Sequence, residues 1–197
     1  MFNINDVEVL EKERRYEGFF KLERLILKHR LFSGGWSRPI VREVFERGEA
    51  VGVLPYDPVH DTVCLIQQFR PGMVNGPDSP WPYEIVAGMM DVEGETQEEL
   101  ARRELREEAG ATEVELYPIL DYWVSPGGTS ERIHLFCGLL NLEGVRGVHG
   151  NEYEGEDIKV EIFSREKALS LVESGIVNNA ATLISLMWLE KHWERFR

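Results

Sequence analysis

Between Thr96 and Gly110 the chain carries a helix whose ends and faces are both legible. Thr96 is placed to cap the first turn, Glu99 three residues later completes a capping box, and Gly110 supplies the left-handed stop. Inside it, Glu104, Glu107 and Glu108 fall at i, i+3 and i+4, a spacing that gathers them on one side. At about 100° per residue they span an arc that also contains Leu100 and Ala101, whereas Glu99, Arg102 and Arg106 point elsewhere. The side of this helix that must pack against a core is therefore also its acidic side.

A charge run on a helix is ordinarily a solvated face, and like charges at this spacing cost only about 0.2 to 0.5 kcal/mol per exposed pair. Turned inward, the same carboxylates cost more unless a cation compensates them. Magnesium suits such a site, because it takes carboxylate and carbonyl oxygens while keeping waters for substrate phosphates.

The formal net charge of −13 argues in the same direction. It disfavours nucleic-acid binding, which depends on Lys and Arg at phosphates, and an acidic protein handling an anionic substrate needs cations between the two. Cys64 and Cys137 each lie in an apolar strand-like run and read as reduced, packed thiols. The N-terminus MFNINDVEVLEKERR has no hydrophobic h-region, and no apolar run approaches membrane-spanning length, so no membrane partner and a cytoplasmic location are expected.

The rest of the chain alternates strands and loops, giving an α+β expectation. Residues 19–30 and the following IVREVFE read as an extended hairpin around Gly34 and Gly35. AVGVLPYD (50–57) and DTVCLIQQF (61–69) read as another, followed by a Gly- and Pro-rich loop and the short strand YEIVA. Further strands are expected at 119–124, 131–139 and 158–163, and helices at 165–173 and 179–196. The last helix should place Leu183, Leu186, Met187, Leu189 and Trp193 largely on one side. Segment 141–157, with four Gly and five acids, reads as a mobile solvated loop that also suits a lid. His134 and His149 read as core or surface histidines, since the sequence pairs neither with an orienting acid.

The stretch GMMDVEGETQEELARRELREEAGA, Gly88 to Ala111, resembles the Nudix box: Gly, five residues, Glu, seven residues, then Arg-Glu-apolar-any-Glu-Glu-any-Gly-apolar. From Glu95 onward every position agrees. Six residues rather than five separate Gly88 from Glu95, so the loop before the helix is one residue longer. YEGFF, REVFERG, QQFRPG, SPGGTSER, EGEDI and NNAATLISLMWL are similar to segments of bacterial ADP-ribose pyrophosphatases within that family.

The resemblance implies a Nudix fold, a mixed β-sheet sandwiched between helices, with an N-terminal antiparallel strand subdomain (1–48) serving dimerisation and a hydrolase domain (49–197). It implies Mg²⁺, two or three ions with Mn²⁺ as a substitute, held by Glu104, Glu108, Glu156 and the Ala87 carbonyl. Glu107 would assist or bind through water, and Arg103 and Glu95 would orient the ligands. Glu154 would be the base that activates water, with Glu152 as a neighbouring acid. Phe19, Arg42, Glu43, Arg47, Arg70, Met89 and Glu131 would recognise the substrate, a small nucleotide sugar. In the homodimer, Phe19, Arg42 and Glu43 would serve the other subunit's site.

Three functions compete. The first is hydrolysis of ADP-ribose to AMP and ribose 5-phosphate. The second is the same chemistry on another nucleoside diphosphate sugar such as GDP-mannose, which the box cannot distinguish because it handles the shared pyrophosphate. The third is a catalytically silent module that senses ADP-ribose, which degenerate box carboxylates would have favoured.

Overall fold

The computed structural model describes residues 1–151 and 155–197, which divide into two compact units: Met1–Glu49 with Trp123–Arg132, and Ala50–Tyr122 with Ile133–Arg197. The first unit is a three-stranded antiparallel sheet of β1 (Val7–Glu17), β2 (Lys21–His29) and β3 (Ile40–Glu46), in that order. The expected hairpin forms as β2 and β3. Strand β1 falls within the antiparallel strand subdomain that the resemblance implied, but no local pattern singled it out, because VEVLEKERRYE shows no half-buried alternation and almost all of it is exposed. Charge pairing across the sheet holds it instead: buried Glu23 on β2 receives Lys12 at 2.6 Å and Arg14 at 3.3 Å, and Lys28 pairs with Glu8 at 2.8 Å. On the outer side of β3, Phe45 donates its N–H to the Gly128 carbonyl (2.8 Å) and accepts from Ser130 N–H (3.1 Å), so loop 123–132 joins this unit.

The second unit is built on an eight-stranded sheet of β4 (Glu49–Asp57), β5 (Thr62–Gln67), β6 (Tyr83–Glu84), β7 (Val86–Met89), β8 (Glu115–Trp123), β9 (Arg132–Leu139), β10 (Gly147–His149) and β11 (Ile158–Ser164). Its main path runs β10-β11-β5-β4-β9-β8, with β6 on β5 and β7 on β4. Strand β4 forks, pairing Ala50 to Val53 with β7 and only Tyr56 and Asp57 with β5. The acidic helix packs against β7, one arm of this fork.

Helices cover both faces. On one, α1 (Gln97–Ala109) lays Leu100, Ala101, Leu105 and Ala109 over Val51, Val53, Cys64 and Ile66. On the other, α2 (Arg165–Glu173) and α3 (Ala180–His192) cover Leu54, Tyr56, Val63, Leu65 and Cys137. Alternate residues of β4 and β5 thus face opposite cores, which is why these strands read as continuous apolar runs. Cys64 and Cys137 are free and buried in different cores, where burial pushes both thiols up to about 12.

Two expectations need correction. Within α3 the buried residues are Thr182, Ser185, Leu186 and Leu189, whereas Met187 is exposed, and the final turn tightens into a 3₁₀ segment, Trp193–Phe196. Segment 141–157 is also not loop throughout, since β10 pairs with β11 through Gly147↔Val160, Val148↔Lys159 and His149↔Ile158. Three residues between glycines are too few to show a strand pattern. Among the described residues no helix is long and apolar enough to cross a membrane.

Candidate functional site

Helix α1 begins and ends as its sequence dictates. Thr96 Oγ1 accepts from Glu99 N–H while Glu99 returns a bond to Thr96 N–H, and Gly110 at φ 67° closes the last turn. This fixes the helix phase, and with it the acids. Glu108 falls inside the apolar stripe and is only 2% exposed. Glu104 keeps 12% of its side-chain surface, and Glu107 lies out at 52%. The inward arc expected from spacing alone is thus correct for Glu104 and Glu108, and too wide to include Glu107.

Strand β7 delivers the backbone that meets these acids. Ala87 N–H donates to Glu108 Oε2 at 3.0 Å, and Gln68 Nε2 lies 3.4 Å from Oε1, so among the described residues each Glu108 oxygen meets a donor. Glu104 packs on Gly88 so closely that a Cβ there would stand 2.1 Å from Glu104 Oε1. The box glycine is therefore the space occupied by a carboxylate.

Arg103 binds Glu95 through two bonds, Nε to Oε1 at 2.9 Å and Nη2 to Oε2 at 3.0 Å, and its Nη1 reaches Glu104 at 2.9 Å and Glu107 at 3.4 Å. One guanidinium thus ties the loop before α1 to two acids on it. The fork geometry suits Arg and not Lys.

Electrostatics tests whether a cation fits. Burial pushes the Glu108 carboxyl up to about 8, with Glu104 and Glu156 adding to the rise and Ala87 N–H and Arg70 opposing it. Burial likewise pushes Glu104 up to about 7, against Arg103 and reinforced by Glu107, Glu156 and Asp91. These carboxylates repel one another in a poorly solvated place, and a bound divalent cation would relieve that repulsion. Among the described residues no three His, Cys, Asp or Glu side chains enclose a metal by themselves. The donor set accordingly suits an ion that takes its remaining ligands from water, phosphate or backbone carbonyls.

Arg70 donates Nε to Glu84 at 2.7 Å, and Met89 ends β7. Glu156 accepts Asn151 N–H at 3.0 Å in the β10–β11 connection. Glu154 and Glu152 lie outside the described residues. In the strand unit, Phe19 is 85% exposed with its edge on Phe20. Arg42 and Glu43 are successive residues of β3 and leave it on opposite faces. Arg47 lies over the Phe20 ring at 4.6 Å, with Nε 3.3 Å from Glu131, so the strand unit brings those two expected residues together.

Gln68 and Glu84 were missed by sequence reasoning, and the one signal for Glu84 was an acid inside the apolar string YEIVA. His134 needs a correction too: an acid does stand beside it, with Nδ1 2.9 Å from Asp121. His149 has Nε2 3.0 Å from the Arg146 carbonyl.

Comparison with known proteins places the chain in a family. The NUDIX domain model matches residues 46–184. An ADP-ribose pyrophosphatase of Escherichia coli K12 is 45% identical over 196 residues, covering 100% of this chain and 93% of its own. One from Haemophilus influenzae is 41% identical over 199 residues, covering 100% and 91%. A GDP-mannose pyrophosphatase of Pectobacterium atrosepticum is 32% identical over 181 residues, covering 91% and 92%. Among solved structures, an ADP compounds hydrolase superposes with a TM-score of 0.74 at 21% identity, covering 100% of this chain and 98% of its own, a likeness of fold. Nudix hydrolases generally use divalent metal ions, as the buried acids of α1 would require. With the box in register from Glu95 through the helix and its arginine tie, and the family model matched over residues 46–184, this chain belongs to the Nudix hydrolase family.

Proposed function

We propose that this protein is a magnesium-dependent ADP-ribose pyrophosphatase that releases AMP and ribose 5-phosphate. The observation that carries the chemistry is the pair Glu104 and Glu108, held inward on α1 against β7 with their carboxyls raised by burial. The full-length likeness to ADP-ribose pyrophosphatases at 45% identity supports the substrate.

Glu104, Glu108 and Glu156 would hold the cations, two or three in number, with the Ala87 carbonyl. When bound, these ions supply charge compensation between enzyme acids and the pyrophosphate and polarise its oxygens. Without compensation, each like-charge pair at about 4 Å costs roughly 4 kcal/mol at an effective dielectric of 20. Arg103 keeps Glu104 oriented, and Ala87 N–H and Gln68 do the same for Glu108. Glu154 is proposed, from its place in the EGED string, to take the proton of the attacking water. Water oxygen bonds to one phosphorus as the bridging P–O bond breaks, and the other phosphate leaves. Arg70 is a phosphate ligand in this reading, its Nε set by Glu84. Phe19, Arg42, Glu43, Arg47, Met89 and Glu131 are proposed for the nucleoside and ribose ends, and a homodimer as the working form.

The test is turnover of ADP-ribose beside GDP-mannose at several Mg²⁺ concentrations, with product identification. Preference for ADP-ribose with AMP as product is expected. Equal or better cleavage of GDP-mannose would keep the acids' role and overturn the substrate.

A further inference from the structure

Helix α1 and strand β7 account for Glu104 and Glu108, but Glu156 comes from a separate element, and the structure shows how it is set. Glu156 N–H donates to the Asn151 carbonyl at 3.1 Å, and Asn151 N–H returns a bond to the Glu156 carboxylate at 3.0 Å, closing a ring at the base of the β10–β11 connection. Gly150 lies against this ring at φ 107°, and a Cβ on it would stand 2.8 Å from Glu156 Cβ and 3.2 Å from Glu156 backbone atoms. The position therefore demands glycine twice, for its backbone angle and for its contact.

The preceding residue carries the anchor. The His149 ring packs on Gly110, where an added Cβ would lie 3.0 Å from the imidazole, and its Nε2 stands 3.0 Å from the Arg146 carbonyl. Gly110 is the αL stop of the acidic helix. A short chain of contacts thus runs from the end of the helix bearing Glu104 and Glu108, through His149 and Gly150, to Glu156.

We propose that Gly150 and His149 are positioning residues that set the Glu156 carboxylate relative to Glu104 and Glu108 for divalent-cation binding. This rests on the reading of Glu156 as a metal ligand. Gly150 acts by letting the Asn151–Glu156 ring close, and His149 by registering that ring against the C-terminus of α1. Neither touches substrate or cation.

The experiment is Mn²⁺ binding to the purified full chain, followed by electron paramagnetic resonance without substrate, for Glu156→Gln, Gly150→Ala, His149→Ala, and each positioning change combined with Glu156→Gln. Glu156→Gln should weaken binding by about 10- to 100-fold, and Gly150→Ala by a similar factor. His149→Ala should weaken it by a smaller factor. In the Glu156→Gln background neither positioning change should add a further loss, because both act through Glu156. Gly144→Ala is the control: Gly144 lies in the same segment at φ 82° with open space around it, so it carries the backbone strain without the contact. Circular dichroism of each variant reports folding, and the Gly144→Ala variant should bind Mn²⁺ as the parent does.

Equal losses in Gly144→Ala and Gly150→Ala would overturn the proposal, as would additive losses on top of Glu156→Gln. If Gly150→Ala fails to fold, the His149→Ala cycle decides by the same non-additivity. Unchanged binding in Glu156→Gln itself would overturn the ligand reading instead, so the two failures are separable.

Discussion

Arg103 and Glu95 face each other through two N–H···O bonds of 2.9 and 3.0 Å, and the same guanidinium donates to Glu104 at 2.9 Å. The longer loop between Gly88 and Glu95 therefore still delivers Glu95 to the helix. Arg103→Lys keeps a positive charge but cannot make the paired bonds. A loss of about 10- to 100-fold in activity or metal affinity is expected, with the fold retained. Magnesium titration of turnover checks it, and parental activity in the Lys variant would show that charge alone suffices.

Gly88→Ala tests the contact between β7 and α1. Its Cβ would fall 2.1 Å from Glu104 Oε1 and 2.2 Å from Cδ, so the carboxylate must move. Overpacking of this kind costs about 1 to 3 kcal/mol of stability. The larger effect should be on function, because the displaced group is a proposed ligand, with activity falling by at least about tenfold at a temperature where the variant is folded. Steady-state kinetics beside a thermal melt separates the two.

These positions also show what the sequence could and could not disclose. Thr96, Glu99 and Gly110 declare the ends of α1 locally, and once the ends are fixed the phase of Glu104 and Glu108 follows from helix geometry alone. Gln68, 40 residues from Glu108, and Glu84, 14 residues from Arg70, meet their partners only after the sheet assembles, and no local period encodes that. Glu107 was misplaced because an arc drawn from spacing does not say how deep the helix sits. No local pattern singled out strand β1 because its pairing is electrostatic and it buries almost nothing. The three residues of β10 form a strand because β11 offers an edge, a tertiary cause that glycine-rich composition hides.

Acid stability should depend on Asp57, which is buried and accepts from Val59 N–H, His60 N–H, His60 Nδ1 and Leu142 N–H. Burial would raise its carboxyl, but the bonds from His60, Leu142 and Val59 outweigh burial and hold it below its ordinary 3.8. A depressed carboxylate stabilises the fold fully above its unfolded value, and that contribution fades as pH falls through the lower folded one. His60 is raised by the same bond to Asp57, so its share is complete below about 6.5 and fades at higher pH. Asp57→Asn should therefore cost about 1 to 3 kcal/mol near pH 5.5, with the gap to the parent narrowing as pH drops below about 4. Urea unfolding across that range measures it. A gap independent of pH would show that the carboxylate's charge is not what matters.

On the opposite face of the sheet, Arg165 at the start of α2 is nearly buried and binds Asp61 through Nε at 3.0 Å and Nη2 at 3.1 Å, with a further bond to Glu190 of α3 and its guanidinium 4.3 Å from the Trp193 ring. It joins both helices to the β4–β5 turn, where Asp61 also accepts from Tyr56 at 2.9 Å. Removing Arg165 takes from Asp61 its two-bond partner and leaves it Arg197, at 3.5 Å, so Arg165→Met should cost about 1 to 3 kcal/mol, less than for a fully buried pair. Replacing both, with Asp61→Asn added, should recover part of that loss, because the less exposed of the two acids that Arg165 neutralises is then no longer charged, while Glu190 is 47% exposed and can be solvated. Turnover per folded molecule should stay at the parental level in both variants, since this network packs against the core opposite α1. Chemical denaturation of the single and double variants checks the first two expectations. Additive destabilisation would mean that Arg165 contributes mainly through its packing on Trp193 rather than through its charge.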